Sequence, residues 1–165
     1  MPEFLKNHHV CAAITETLAT QVNITGGQAG DWISMKGYQK LQFLIITEAW
    51  AAGTSAITLN QATDVAGTGA KALTYAKHWL STTYSLEAAP LWVQTAGTLT
   101  LPNTANQAYL IEVDADSLDA DNAFDCVKII FGTPGANNDY LQCIAILSEP
   151  RYGGLESQMV DPVAN

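Results

Sequence analysis

Apolar and polar residues alternate along several stretches of the chain, with the period of two that is typical of half-buried strands. Val22 and Ile24 alternate with polar neighbours, and so do Ile57 and Leu59. Between them, residues 41–46 (LQFLII) form a nearly continuous apolar run. A run of this length between turns predicts a buried central strand.

Glycine, proline and asparagine separate further short segments of the same kind. About eight to ten strands follow from this spacing, which indicates a sandwich or a barrel. Because strands and helices do not alternate, a parallel α/β sheet is not expected. The other predicted strands lie at residues 32–35, 92–93, 98–101, 109–113, 124–131 and 140–147.

The two ends of the chain lack this regular pattern. Residues 1–18 have only weak helical spacing and no clear start or stop signal, so they are predicted to form an N-terminal arm, extended or helical. Pro150 and the pair Gly153-Gly154 open an irregular tail. We therefore predict one domain at 19–149, with an arm at 1–18 and a tail at 150–165.

Residues 67–71 (GTGAK) are the one segment that resembles a nucleotide-binding loop. A phosphate-binding loop needs Gly directly before its Lys and Ser or Thr after it. Here Ala70 precedes Lys71 and Ala72 follows it. The segment is better explained as the turn of a hairpin that spans residues 57–75, with Ile57 and Leu59 facing the core.

Composition and charge exclude several classes of function. The 165 residues are 48% hydrophobic and 14% charged, with a net charge of −9 and Arg151 as the single arginine. Nucleic-acid binding needs clustered Lys and Arg, so we exclude it. No apolar run reaches the ~18 residues of a membrane helix, and no signal-peptide core is found at the start. We expect a soluble protein made in a reducing cytoplasm, without contact to a membrane.

The three cysteines, Cys11, Cys126 and Cys143, are not close in sequence. An odd number of cysteines argues against a secreted disulfide framework. We expect buried, reduced thiols. Cys126 and Cys143 lie on predicted strands and could be neighbours in one sheet.

An acidic segment follows the strand at 109–113 and contains Asp114, Asp116, Asp119 and Asp121. Clustered carboxylates are the ligands that calcium prefers, although the spacing fails the helix-loop-helix calcium pattern. An irregular calcium site at these four aspartates is one alternative. The other is a solvated loop whose aspartates cap backbone groups.

No residue pattern indicates an enzyme, and no cofactor is expected. The adjacent pair His8-His9 would chelate a metal poorly, and His78 has no partner at ligand spacing. No GxSxG elbow is found. Trp50, Trp79 and Trp92 could stack on sugars, although such residues more often belong to a core or an interface.

Four segments of the chain resemble small structural proteins of tailed bacteriophage heads, namely capsid decoration or cement proteins. This resemblance covers the middle of the chain and rests on general pattern. It implies a jelly-roll-like antiparallel β-sandwich that binds the outer surface of the shell and reinforces it. The segments are residues 30–38 (GDWISMKGY), 57–73 (ITLNQATDVAGTGAKAL), 109–119 (YLIEVDADSLD) and 124–128 (FDCVK).

The same resemblance implies the major capsid protein as partner, a homotrimer, and a place on the virion after synthesis in the host cytoplasm. The irregular ends could then reach neighbouring subunits, with Phe4, Leu5, Arg151 and Tyr152 as candidate contacts. The alternative is a β-sandwich of a phage fibre or tail that binds a carbohydrate or a receptor.

Overall fold

The computed structural model describes residues 4, 7–14, 22–48, 52–75, 77–81, 92–103, 107–135 and 139–151. Within them, thirteen antiparallel strands form two sheets, as predicted for a β-sandwich. No helix in these residues is long and apolar enough to cross a membrane. The strands are β1 (His8–Ala12), β2 (Val22–Asn23), β3 (Gln28–Ala29), β4 (Ile33–Ser34), β5 (Tyr38–Thr47), β6 (Ser55–Ala62), β7 (Lys71–Leu73), β8 (Lys77–Ser81), β9 (Val93–Ala96), β10 (Thr100–Leu101), β11 (Gln107–Asp114), β12 (Cys126–Phe131) and β13 (Tyr140–Pro150).

The larger sheet has the order β1-β13-β5-β11-β8-β9, and β2 also pairs with β13. The smaller sheet has the order β10-β6-β12-β3, with β4 on β12 and β7 on β6. From β10 to β13, successive strands alternate between the two sheets. Such crossings are typical of jelly-roll sandwiches.

The core lies between the two sheets and is built from alternate residues of the long strands. Ile57 and Leu59 are each 1% exposed, which confirms their predicted inward direction. The hairpin at 57–75 is also confirmed, since β6 and β7 pair with Leu59 opposite Leu73. The bulkiest fully buried side chains are Tyr38, Phe43, Phe131, Ile24, Ile33, Leu41, Ile45, Ile57, Leu59, Leu101, Ile111 and Ile129.

A buried tyrosine joins two segments at the end of the sandwich. Tyr75 Oη donates to the Ile57 carbonyl (2.9 Å) and accepts from the Leu99 backbone N–H (2.8 Å). Burial is the main cause that raises the pKa of Tyr75. The hydroxyl thus satisfies two backbone groups that would otherwise be buried without partners.

Part of the predicted N-terminal arm belongs to the sandwich. His8–Ala12 pairs along β13, from His8 opposite Ser148 to Ala12 opposite Ile144. The sequence HHVCA lacks a clear apolar alternation. Its pairing with β13 is made by backbone groups, which a hydrophobic pattern does not report. Ala13 and Ile14 then enter the core, while residues 15–21 and 152–165 lie outside the described residues.

The cysteines are free, but Cys126 and Cys143 are not sheet neighbours. Cys126 lies on β12 of the smaller sheet and Cys143 on β13 of the larger one, so that expectation is wrong. Period-two patterning indicates a strand at each cysteine without telling which sheet holds it. Cys143 belongs to the buried core cluster, whereas Cys126 lies on the same side of β12 as Lys128 and Ile130, away from that cluster. Burial raises the pKa of Cys126 to about 12 and also raises that of Cys143, so both thiols stay protonated at neutral pH.

Candidate interaction surfaces

The outer face of the larger sheet carries apolar side chains although it lies away from the core. On β5, Leu41, Phe43 and Ile45 point to the core and are fully buried. Leu44 and Ile46 alternate with them, point to the outer face and are half-buried. The same alternation runs through β11 and β13. Both faces of the central strands therefore carry apolar side chains, and only the inner face is covered by the smaller sheet.

One row of directly paired residues crosses five neighbouring strands with no polar member. Strands lie about 4.8 Å apart, so the row is roughly 19 Å wide. Val10, Ile46 and Ile146 lie next to it on the same face, and Val10 is 45% exposed. We call these eight residues the outer apolar patch. The members of the row are Ala12 on β1, Ile144 on β13, Leu44 on β5, Leu110 on β11 and Trp79 on β8.

A charged group borders the outer apolar patch at one end of the same face. Lys40 Nζ lies 3.6 Å from Glu112, 3.6 Å from Glu149 and 3.9 Å from Asp114. Glu112 is the largest cause that raises the pKa of Lys40, followed by Glu149. Gln42 donates to Glu112 at 2.7 Å. A depression of about 380 Å³ lies here, and its lining includes Lys40, Gln42, Glu112, Glu149 and His8.

The turn at residues 67–71 packs on its own chain rather than forming a phosphate cradle. Asp64 Oδ1 accepts from the backbone N–H groups of Ala66 (3.0 Å) and Thr68 (2.9 Å). Those bonds, led by the one from Thr68, lower the pKa of Asp64. The nitrogens that could face a phosphate are thus used to close the turn.

Gly67 at this turn is fixed by two requirements. Its φ is +85°, and a Cβ on it would overlap the indole nitrogen of Trp32. Trp32 is covered on one side by the ammonium of Lys128, 4.5 Å from a ring centroid. The glycine therefore permits close packing of the turn on Trp32.

The acidic segment does not bring its four predicted aspartates together. Asp119 pairs with Lys71 and accepts two bonds from Asn122 Nδ2, both 2.9 Å. The bond from Lys71 is the largest cause that lowers the pKa of Asp119. Asp114 faces Lys40 at the outer face instead.

Asp116 and Asp121 lie in two short 3₁₀ turns, Ala115–Ser117 and Ala120–Asn122, and both are exposed. No group of three or more His, Cys, Asp or Glu side chains among the described residues could hold a metal ion. Calcium binding at this segment stays a prediction.

The candidate contacts at the chain ends are only partly described. Phe4 is 50% exposed and stacks on His8, with ring centroids 4.3 Å apart. Arg151 is exposed, and its backbone N–H donates to the Gly37 carbonyl at 2.8 Å. Leu5 and Tyr152 lie outside the described residues.

Among the described residues, strand β9 is the edge strand of the larger sheet opposite β1. All four of its residues are exposed. Val93 is 52% exposed and Trp92, just before it, is 39% exposed. Edge strands commonly carry Lys or Pro, which discourage pairing with another chain. Residues 91–101 (LWVQTAGTLTL) contain neither of them and no ionisable side chain.

Sequence patterning did not identify the outer apolar patch or the β9 edge. The sequence does hint at the patch in residues 41–46, because apolar residues there occupy both odd and even positions and so point to both faces of one strand. Such a run predicts burial of both faces. Only the strand order shows that the second face has no sheet of the sandwich over it.

No family model matches this chain, and no curated protein matches it. Among solved structures it is similar to the SPBc2 prophage-derived protein YomS, with a TM-score of 0.43 and 10% identity over 87% of this chain and 94% of that one. It is also similar to the CBM22-1–GH10 modules of Clostridium thermocellum xylanase 10B in complex with xylohexaose. That TM-score is 0.36, with 8% identity over 86% of this chain and 25% of the xylanase chain.

Proposed function

We propose that this chain is a virion structural protein, a decoration or cement protein that binds the outer surface of a tailed-phage capsid and bridges capsomers. The observation that carries the proposal is the outer apolar patch. Large contiguous apolar patches on a protein surface mark interaction sites. This one extends across five strands of a sheet, so it suits a broad protein surface better than a small ligand.

The charged residues around Lys40 form a polar rim at one end of the patch. An apolar centre with a polar rim is the usual anatomy of a protein–protein interface. Among the described members of this rim, Glu112, Asp114 and Glu149 outnumber Lys40. The proposed capsid surface therefore carries Lys or Arg side chains where it meets this end of the sheet.

Reinforcement of the shell follows from repetition. A copy that contacts two capsomers resists their separation, and many copies on one lattice add their modest binding energies. The function is mechanical and needs no catalytic group. The protein would then be located on the capsid surface after synthesis in the host cytoplasm.

The patch is tested by placing one charge on either outer face of the sandwich. Leu44→Glu puts a carboxylate in the middle of the patch, and we expect loss of binding to purified shells. Thr58→Glu makes the same charge change at an exposed position of β6 in the smaller sheet, and binding should persist. Equal binding by both variants, with circular dichroism showing both folded, would contradict the proposal.

The shells themselves provide the second test. Shells with bound protein should rupture at a higher temperature than bare shells, as followed by light scattering and electron microscopy. Shells carrying Thr58→Glu should match the wild-type complex. The same rupture temperature with and without protein would refute the reinforcing role.

A homo-oligomer, proposed as a trimer, would form through the β9 edge. Its lack of charge favours contact between copies that each carry a net charge of −9. Sedimentation should give the mass of three chains, and Val93→Lys should reduce it to one. Trimers that persist in Val93→Lys would remove β9 from the interface.

The exposure of Trp92 supports a second candidate, a carbohydrate-binding or receptor-binding module of a fibre or tail. An exposed indole can stack on a sugar ring. This candidate predicts hits on a glycan array that Trp92→Ala abolishes. It also predicts that Leu44→Glu leaves those hits unchanged, which separates it from the capsid proposal.

A further inference from the structure

Asp139 is a buried carboxylate without a partner. The residue directly precedes β13 and is 0% exposed. Neither side-chain oxygen has a hydrogen-bond partner, and among the described residues no other buried side-chain nitrogen or oxygen shares this condition. A charged group in this state is strongly unfavourable, so native proteins pair it with a cation, hydrogen-bond donors or a proton.

The backbone of Asp139 is held against the turn that follows β2. Its carbonyl accepts from the Ile24 N–H at 2.8 Å, and its own N–H donates to Thr25 Oγ1 at 3.4 Å. The turn is closed by the Gly27 N–H, which donates to the Ile24 carbonyl at 2.8 Å. The position of Asp139 is therefore fixed by its main chain, and the carboxylate is not needed for that purpose.

The turn carries further oxygen atoms, and one of them, Thr25 Oγ1, contacts the main chain of Asp139. Asn23 Oδ1 accepts from the Thr25 N–H (2.9 Å) and from Thr25 Oγ1 (2.6 Å). Asn23 also pairs with Tyr140, directly after Asp139. Amide, hydroxyl and carboxylate oxygens are ligands for hard cations, whereas zinc is usually bound through His or Cys.

Three of the described lysine side chains have partners elsewhere in the fold. Lys40 lies among acids at the outer face, Lys71 pairs with Asp119, and Lys128 covers Trp32. Because Asp139 is fully buried, a long side chain from another molecule could not reach it without opening the sandwich. A small ion satisfies this restriction.

We propose that Asp139 and the turn at residues 23–25 bind a hard cation, with Ca²⁺ as the best-matched divalent ion. With one carboxylate and otherwise neutral ligands, the site is a weak one, with a Kd of roughly 10⁻⁴–10⁻³ M. The ion ties β2 and its turn to the start of β13. This site is separate from the acidic segment and from the outer apolar patch, so it does not depend on the proposed function.

The test compares thermal unfolding of the full chain in EDTA and in about 10 mM CaCl₂, well above the expected Kd. Wild-type Tm should rise by about 5 °C, since an ion that binds only the folded state stabilises it. Asp139→Asn should have a higher Tm than wild type in EDTA, because the uncompensated charge is gone, and should not respond to Ca²⁺. Asp116→Asn, in the acidic segment, is the matched control and should respond as wild type does.

Separate solutions of MgCl₂, NaCl and KCl identify which hard cation the site prefers. A wild-type Tm that no cation changes would overturn the proposal. Loss of the response in Asp116→Asn would also overturn it, because the ion would belong to the acidic segment.

Calorimetric titration of the wild type covers the case in which Asp139→Asn does not fold. One Ca²⁺ per chain supports the site. No saturable heat from Ca²⁺ or from the other cations would overturn it.

Discussion

Two adjacent isoleucines on β5 have opposite surroundings. Ile45 points between the sheets and is 0% exposed, whereas Ile46 points away from the smaller sheet and is half-buried. Their neighbours on either side along β5 show the same division, with Phe43 inside and Leu44 outside. The difference teaches that apolar character alone does not mark the core of this molecule. One face of the larger sheet builds the core, and the other carries the outer apolar patch that we propose as a binding surface.

The same substitution at these two positions should give the largest contrast. Ile45→Thr removes buried apolar volume and adds a hydroxyl without a partner, which should cost about 2–4 kcal/mol of unfolding free energy. Ile46→Thr should cost about 1 kcal/mol or less, since its surroundings can solvate the hydroxyl. Urea unfolding followed by tryptophan fluorescence measures both. Equal losses would show that the outer face is as closely packed as the inner one.

The inner face also depends on a polar contact, which a second substitution tests. Tyr75→Phe removes the hydroxyl that joins Ile57 and Leu99 and leaves two buried backbone groups unpaired. We expect a loss of about 2 kcal/mol, from the usual cost of such groups. A loss below about 0.5 kcal/mol in urea unfolding would mean that water replaces the hydroxyl there.

Two glycine substitutions separate the effect of close packing at the hairpin turn from the effect of backbone strain. Gly67 and Gly97 both have positive φ, +85° and +88°, but only Gly67 has Trp32 against it. Gly97→Ala should cost about 1 kcal/mol through strain. Gly67→Ala should cost about 2 kcal/mol, since the turn must also move away from Trp32, and it should shift the tryptophan fluorescence. Identical effects would show that the packing on Trp32 contributes nothing.

The smallest effect is expected at the surface pair of Lys71 and Asp119. The folded-state pKa of Asp119 is lowered, mainly by Lys71. The stability that this shift contributes is therefore present at neutral pH and is lost as the pH falls through that lowered pKa. Lys71→Met should flatten the acid-side decrease of the urea midpoint, while Asp116→Asn should not. An unchanged slope in Lys71→Met would remove the pair from the acid response.

The fold was predictable where the sequence alternates strongly. The hairpin at residues 57–75 was predicted because Ile57 and Leu59, two positions apart, point to the same side of a strand, and because Gly67 and Gly69 permit the turn. Strand β3 was not predicted, because its two residues are too few for a period to emerge. The equally short β2, β4 and β10 lie within segments that were predicted as strands. β1 was missed because its pairing with β13 depends on main-chain groups that every sequence has.

The proposed sites were less predictable, because they depend on what lies opposite a residue. A hydrophobicity pattern cannot distinguish Leu44 from Ile45, because both residues are apolar. Only the position of the smaller sheet shows that Ile45 faces the core and Leu44 does not. Asp139 follows Asn137 and Asn138 in a segment that looks like a solvated loop. Its burial arises from packing against the turn after β2, over a hundred positions earlier in the chain.

The position of β13 also determines when the protein can assemble during translation. This strand lies between β1 and β5 and pairs with both, although β1 is made more than a hundred residues earlier. The larger sheet therefore cannot close while Tyr140–Pro150 is still inside the ribosome. Pairings so distant in sequence make folding slow and leave strand edges exposed in the nascent chain. Emergence of Tyr140–Pro150 from the ribosome, rather than growth of the N-terminal strands, should be the event that starts completion of the sandwich.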